Sequence, residues 1–277
     1  MPELPEVETT RRMLEPVLLG RVVRDVLHSD PSRYKNTTAM LGKQILKLER
    51  RGKYLIFRLD DGLDCLVHLK MTGGFRIPPE QKFLEPPRFE RLRLVLHDCE
   101  VSYVDSRRFG FWEVVPTNDW GHIKALIEMG PEPLEPSFLL KPFQAAMAKV
   151  ARVKPALLSQ KPVAGVGNIY ADESLWLAKI HPEASKLSAT AAKRLHSAII
   201  EVMTRAVAVG GSTLSDNSYQ QPSGESGYFQ LEHHAYDQTG QPCSRCGAGI
   251  EKYTLAGRGT HFCPDCQPKE QVKRKKG

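Results

Sequence analysis

Residues 44–69, QILKLERRGKYLIFRLDDGLDCLVHL, contain three apolar-rich runs: Gln44 to Glu49, Tyr54 to Leu59 and Leu63 to Leu69. Arg51-Gly52 separates the first two, and Asp60-Asp61-Gly62 separates the second pair. Short runs bounded by Gly and Asp read as β-strands joined by tight turns. The pattern continues outward. Arg91 to Leu96 alternates polar and apolar, turns through His97-Asp98 and returns as Val101 to Val104, and Phe111 to Val115 closes the series. Before the strands, Glu6 to Leu18 has helical spacing with two arginines on its polar face. The expectation for the first 116 residues is a β-sandwich carrying an N-terminal helix.

After Pro116 the period changes. Trp120 to Met129, Pro136 to Val150 and Ile169 to Ala178 read as helices, and Ala189 to Val209 as a long amphipathic helix stopped by Gly210-Gly211. Residues 212–227 are rich in Ser, Gln, Gly and Asn and have no period, the mark of a functional or disordered loop. The fold class is α+β. Its segments are a sandwich domain at 1–116, a helical domain at 117–230 that includes the loop, and a cysteine module with a basic tail at 231–277.

Four of the six cysteines form two doublets, Cys243-x-x-Cys246 and Cys263-x-x-Cys266. Paired Cys-x-x-Cys turns at this separation match a tetrahedral four-thiolate zinc site, with the intervening segment folding back as a hairpin. Gly247, Gly249, Gly257 and Gly259 are placed to supply its turns. A closed four-sulfur shell has no open position, so one structural Zn2+ is expected. Lys252, Arg258 and His261 would make the hairpin a finger for phosphates. Cys65 and Cys99 lie within strand runs and read as small core residues.

The net charge of +7 favours a polyanionic partner, since each Lys or Arg set on a phosphate releases counterions. Lys269, Lys273, Arg274, Lys275 and Lys276 form a tail that reads as a solvated, disordered end. No apolar run is long enough to span a bilayer, and the acidic opening lacks the apolar stretch of a signal peptide. The expected location is the cytosol. With no repeat or coiled coil to drive assembly, a monomer is expected.

Removal of Met1 would expose Pro2 as a secondary amine. An α-amine titrates near roughly 7.7–8, well below lysine at about 10.4, so more of it is free base at neutral pH. Its adduct with a sugar carbon has no N–H to lose and stays a cationic iminium, an electron sink for elimination. Glu3, covalently adjacent, is suited to proton transfer.

MPELPEVE at 1–8, GVGNIYADE at 165–173 and the four-cysteine module occur together in order. In this the chain resembles the bacterial formamidopyrimidine-DNA glycosylases, from Met1 to about Cys266. Leu4 resembles the oxidised-purine branch; the sister branch, which favours oxidised pyrimidines, usually has Gly there. The resemblance implies a helix–two-turn–helix domain and a DNA glycosylase and abasic-site lyase. Its partner would be duplex DNA bearing oxidised purines or abasic sites. It implies Pro2 as Schiff-base nucleophile, Glu3 as proton donor, Lys53 as the hairpin lysine assisting elimination, and Arg258 as the zinc-hairpin arginine of the δ-elimination step. Met71, Arg107 and Phe109 would fill the void left by an extruded base. Lys154 and Asn168 would serve the phosphates, and Asn168 also sits where it would cap the helix from Ile169. Lys70 and Ser106 depart from a usual Gly and Pro. Arg88-Phe89-Glu90-Arg91 stands where histidine is common, and the 215–227 loop is longer and richer in Gln and Ser than usual.

Overall fold

The computed structural model describes residues 1–28, 33–216 and 218–269. The tail residues Lys273, Arg274, Lys275 and Lys276 lie outside the described residues, as does Asn217 of the loop. The chain forms two compact units, Met1–Ile127 with Ala206–Gln230, and Glu128–Arg205 with Leu231–Gly277.

Pro5 has no backbone N–H to donate and sits in the first turn of α1 (Leu4–Leu18), where none is required. The first unit continues through β1 (Val23–His28), β2 (Tyr34–Lys35), β3 (Ile45–Arg51), β4 (Tyr54–Leu59), β5 (Leu63–His68), β6 (Gly73–Arg76), β7 (Glu90–Leu96), β8 (Glu100–Asp105) and β9 (Phe111–Pro116). Two sheets result, ordered β2-β9-β5-β4-β3 and β1-β7-β8-β6. Register follows side-chain alternation: Leu92, Leu94 and Leu96 turn inward from β7. Between the sheets Phe57, Phe75, Tyr103 and Trp112 pack with ring centroids 5.5–6.2 Å apart. This is the expected sandwich, with α1 laid against β3 and β4. Cys65 and Cys99 are buried and free.

The second unit is helical. Its elements are α3 (Leu140–Met147), α4 (Val153–Leu158), α5 (Asn168–Ala178) and most of α6 (Ala189–Ala208), preceded in the chain by the single turn α2 (Lys124–Ile127). Two expected helices are shorter than the sequence pattern suggested. Trp120 to Met129 retains only α2. Pro136 to Val150 starts late, at Leu140, because Pro142 fits only within a first turn. The helix α4 also begins with a proline in its first turn, Pro155. Nearly every residue of α5 is buried, so it forms the centre of the unit. The cysteine module closes with the hairpin β10 (Glu251–Leu255) and β11 (Arg258–Phe262). Ala256 and Gly257 form its two-residue turn, both at positive φ (+49° and +75°), as the twist of a tight hairpin requires. Gly247 also turns at positive φ, whereas Gly259 lies within β11 and supplies no turn. Among the described residues no helix is long and apolar enough to cross a membrane.

Candidate active site and zinc hairpin

The start of the first unit is held by a reciprocal capping box. The Glu3 side chain accepts the backbone N–H of Glu6, while Glu3 N–H donates to Glu6 Oε2 at 2.7 Å. Pro2 and Glu3 are both buried. The second oxygen of Glu6 accepts Ser212 N–H at 2.8 Å, so one carboxylate joins the first turn of α1 to the base of the 212–227 loop. That loop is folded onto the sandwich. Tyr219 Oη lies 3.4 Å from the carbonyl of Glu6, Gln220 accepts from Arg76 at 2.7 Å, and Ile77 N–H donates to the Pro222 carbonyl at 2.9 Å. Sequence reading missed Glu6, although its spacing from Glu3 at a helix start is the signal of a capping box.

Lys53 follows the Gly52 turn between β3 and β4 and is buried. His68, at the end of β5, accepts Lys70 N–H on Nδ1 at 2.9 Å and meets Tyr54 edge-on at 4.5 Å. Burial, with the charges of Lys70 and Lys53, lowers the His68 imidazole to about 3, so it stays a neutral acceptor. Lys70 holds φ +56°, which is the reason a Gly suits this place; Lys occupies it at some strain. The turn carries Met71, half-buried beside it.

Arg107 and Phe109 stand on the β8–β9 turn, with Phe109 48% exposed and the Arg107 guanidinium 4.8 Å from its ring centroid. Each of the two turns ends on a glycine, Gly73 and Gly110, and a Cβ at either would collide with the Tyr103 hydroxyl. Both turns also bond to Asp105, whose Oδ1 accepts from Thr72 and from Arg107 N–H and whose Oδ2 accepts Gly110 N–H. The three expected void-filling residues therefore share one rigid support. Sequence reading did not single out Asp105: Arg107 and Gly110 are near it in the chain, but Thr72, which makes it a link between two turns, lies 33 residues away.

In the second unit Lys154 is 1% exposed. Its ammonium reaches Asp172 Oδ1 at 2.6 Å, the Gly259 carbonyl at 2.9 Å and Thr260 Oγ1 at 3.0 Å. Asn168 donates to the same carbonyl at 3.0 Å. Contrary to the expectation from sequence, it does not cap its helix: Gly167 is the cap residue and Asn168 the first helical one, its amide drawn away to the hairpin. Asp172 Oδ2 accepts from His261 N–H and Nδ1, so His261 is buried against α5 and is not presented to phosphates on the hairpin surface. Arg258 is exposed at the hairpin tip, beside the backbone these groups grip. Glu173 accepts three backbone N–H groups, from His234, Ala235 and Tyr236. Burial raises its carboxyl to about 7 against the pull of those bonds.

The sulfur atoms of Cys243, Cys246, Cys263 and Cys266 lie within 4.8 Å of one another. A tetrahedral zinc with Zn–S of about 2.3 Å sets sulfurs roughly 3.8 Å apart, and the pairs Cys243–Cys266 and Cys246–Cys263 stand at 3.9 and 3.4 Å. Donors suited to thiolates surround them: the Trp176 indole N–H and the Cys266 N–H, each 3.4 Å from a sulfur. Burial raises the Cys243 thiol, but the N–H groups of Arg245, Trp176 and Cys246 outweigh it and bring it to about 6. The donor set fits one structural zinc, which would brace the hairpin and leave no position for substrate.

Pro2 followed by a helix-capping Glu3 on a β-sandwich, with a helical unit gripping a four-thiolate hairpin, points to a class: the helix–two-turn–helix proteins with a zinc finger. Family models match in chain order: the formamidopyrimidine-DNA glycosylase N-terminal domain at 1–112, that glycosylase's H2TH domain at 129–218, and a zinc finger found in FPG and IleRS at 240–269. The chain is 49% identical to a formamidopyrimidine-DNA glycosylase of Deinococcus radiodurans, covering 97% of this chain and 98% of that one. It superimposes on the crystal structure of the MutM (Fpg) protein of Thermus thermophilus with TM-score 0.91 at 47% identity, over 98% of this chain and 100% of that one. A Lactococcus lactis FPG mutant solved with a Fapy-dG containing DNA gives TM-score 0.88 at 40% identity, over 97% and 100% of the two chains. The chain belongs to the formamidopyrimidine-DNA glycosylase family.

Proposed function

We propose that this chain excises oxidised purines, 8-oxoguanine and formamidopyrimidines, from duplex DNA and then cleaves the strand as an abasic-site lyase. The observation that carries the reading is the full-length family match combined with Pro2 beside a buried, helix-capping Glu3. Once Met1 is removed, the Pro2 nitrogen attacks C1′ and the glycosidic electron pair leaves with the base. Glu3 supplies the proton that opens the sugar ring, leaving the iminium. Loss of a C2′ proton then expels the 3′ phosphate, and a second elimination expels the 5′ phosphate, leaving a one-nucleotide gap.

Lys53 assists the first elimination and Arg258 the second. Met71, Arg107 and Phe109 fill the place of the extruded base. Lys154 and Asn168 serve the phosphate side through the hairpin backbone they hold behind Arg258. Function divides along the chain as catalytic sandwich 1–116, DNA-binding helices 117–230 with lesion loop 212–227, and zinc hairpin and tail 231–277. The protein acts as a monomer in the bacterial cytosol.

Borohydride should trap a covalent adduct between the chain and a duplex carrying 8-oxoguanine, and Pro2→Gly should lose most strand cleavage. Salt-sensitive binding with no adduct and no cleavage would instead mark a non-catalytic zinc protein. Faster excision of dihydrothymine than of 8-oxoguanine would move the chain to the pyrimidine branch.

A further inference from the structure

Arg258 has a glycine on each side, Gly257 at φ +75° and Gly259, so the chain that carries it is locally permissive. Its guanidinium is exposed, and among the described residues no carboxylate pairs with it. Where that cation stands is therefore decided by its backbone. The next three residues supply the fixing. Lys154 and Asn168 hold the Gly259 carbonyl, and Asp172 holds His261. Thr260 lies between these two anchors and is completely buried. Its Oγ1 accepts the Lys154 ammonium at 3.0 Å and donates to the carbonyl of Arg258 itself at 3.1 Å. At a buried strand position Val or Ile would pack as well, and a hydroxyl there is costly unless it is bonded. The two bonds account for threonine at this place.

We propose that Thr260 is a positioning residue of this enzyme. Its hydroxyl ties the Arg258 carbonyl to the Lys154 ammonium, and so sets where the Arg258 guanidinium meets the 5′ phosphate expelled in the second elimination. The proposal rests on the glycosylase and lyase reading above. In that step a proton passes from C4′ to water, a C4′=C5′ bond forms and the C5′–O bond breaks, its electron pair leaving with the phosphate. The cation must stand where that negative charge gathers, and a misplacement of about 1 Å can cost roughly 100-fold in rate. The first elimination, which the same reading gives to Lys53, makes no demand on Thr260.

The test uses the full-length, zinc-loaded protein and a duplex with one natural abasic site. Its two products are told apart on a gel: an unsaturated aldehyde end after the first elimination, a 3′ phosphate end after both. Thr260→Val keeps the shape of the side chain and deletes both bonds. The second elimination should slow by about tenfold, so that the aldehyde accumulates, while the first elimination and the zinc content stay parent-like. Thr260→Ser keeps the hydroxyl and should restore the parent product ratio. Adding Thr260→Val to Arg258→Ala should change the ratio no further, since Thr260 acts only through Arg258. Thr260→Ala serves the same comparisons if the branched apolar side chain prevents folding. A parent-like ratio in Thr260→Val, or an equal slowing of both eliminations, would overturn the proposal while leaving the lyase reading intact. So would a further loss in the double variant. A parent chain that leaves the abasic duplex uncut would sink both readings.

Discussion

Replacing Lys154 by Met keeps the length of the side chain and deletes its charge, which isolates the worth of a fully buried ion pair. Lys154 is 1% exposed and Asp172 0%, so neither solvent nor salt screens them. Without the ammonium, the Asp172 carboxylate keeps the N–H and Nδ1 of His261, at 2.9 and 3.1 Å. Its charge is then uncompensated at the centre of the helical unit. Breaking a buried pair from one side costs about 3–5 kcal/mol. Asp172→Asn should cost a similar amount, because it leaves the ammonium facing a neutral amide. The double variant Lys154→Met/Asp172→Asn removes both charges and should recover about 2–3 kcal/mol of the summed single losses. The assay is denaturant unfolding of the zinc-loaded protein for the parent, both single variants and the double. Single losses under about 1 kcal/mol, adding without coupling, would mean that Lys154 does not act as a buried ionic clamp.

Acid sensitivity should trace in part to His68. Its folded value lies near 3 against 6.5 in the free side chain, so below pH 6.5 the unfolded chain takes up a proton that the folded one refuses. Stability from this residue is complete above that pH and falls by about 1.4 kcal/mol per unit between 6.5 and 3. Urea unfolding at about pH 7, 6 and 5, spanning that window, should give a shallower decline for His68→Gln; equal slopes would reject the assignment. For the metal, atomic absorption should find one zinc per chain. Its removal should change Trp176 emission, since the indole N–H sits 3.4 Å from Cys243 Sγ. An emission change that persists in Trp176→Phe would show that the signal arises elsewhere.

How much the sequence revealed depended on whether a signal was local. β4 is legible because Tyr54 to Leu59 is almost wholly buried and flanked by turn residues. β1 is not, since only two of its six residues are buried and Arg24 and Asp25 face outward. β6 begins with two glycines, and the first is explained by the Tyr103 hydroxyl, a contact no alternation rule detects. The cysteine doublets announce their geometry through spacing. Asn168 reads as a cap in the sequence because a helix start and a tertiary anchor ask for the same residue type. Glu6 and Asp105 escape for different reasons: Glu6 has a local signal that went unused, whereas Asp105 joins turns that meet only after the sheets have formed.

Glu6 leaves little freedom to whatever shapes the 212–227 loop. A Cβ on Gly211 would stand 2.6 Å from its carboxylate, and Gly211 is itself at φ +78°, so this corner admits no larger residue. A displacement of this loop reaches the first turn of α1, just after Pro2 and Glu3, through the Glu6 carboxylate at Ser212 and through the Tyr219 hydroxyl at the Glu6 carbonyl. On the proposed function, recognition and reactivity are thereby geared together, and a variant that retunes one should also detune the other.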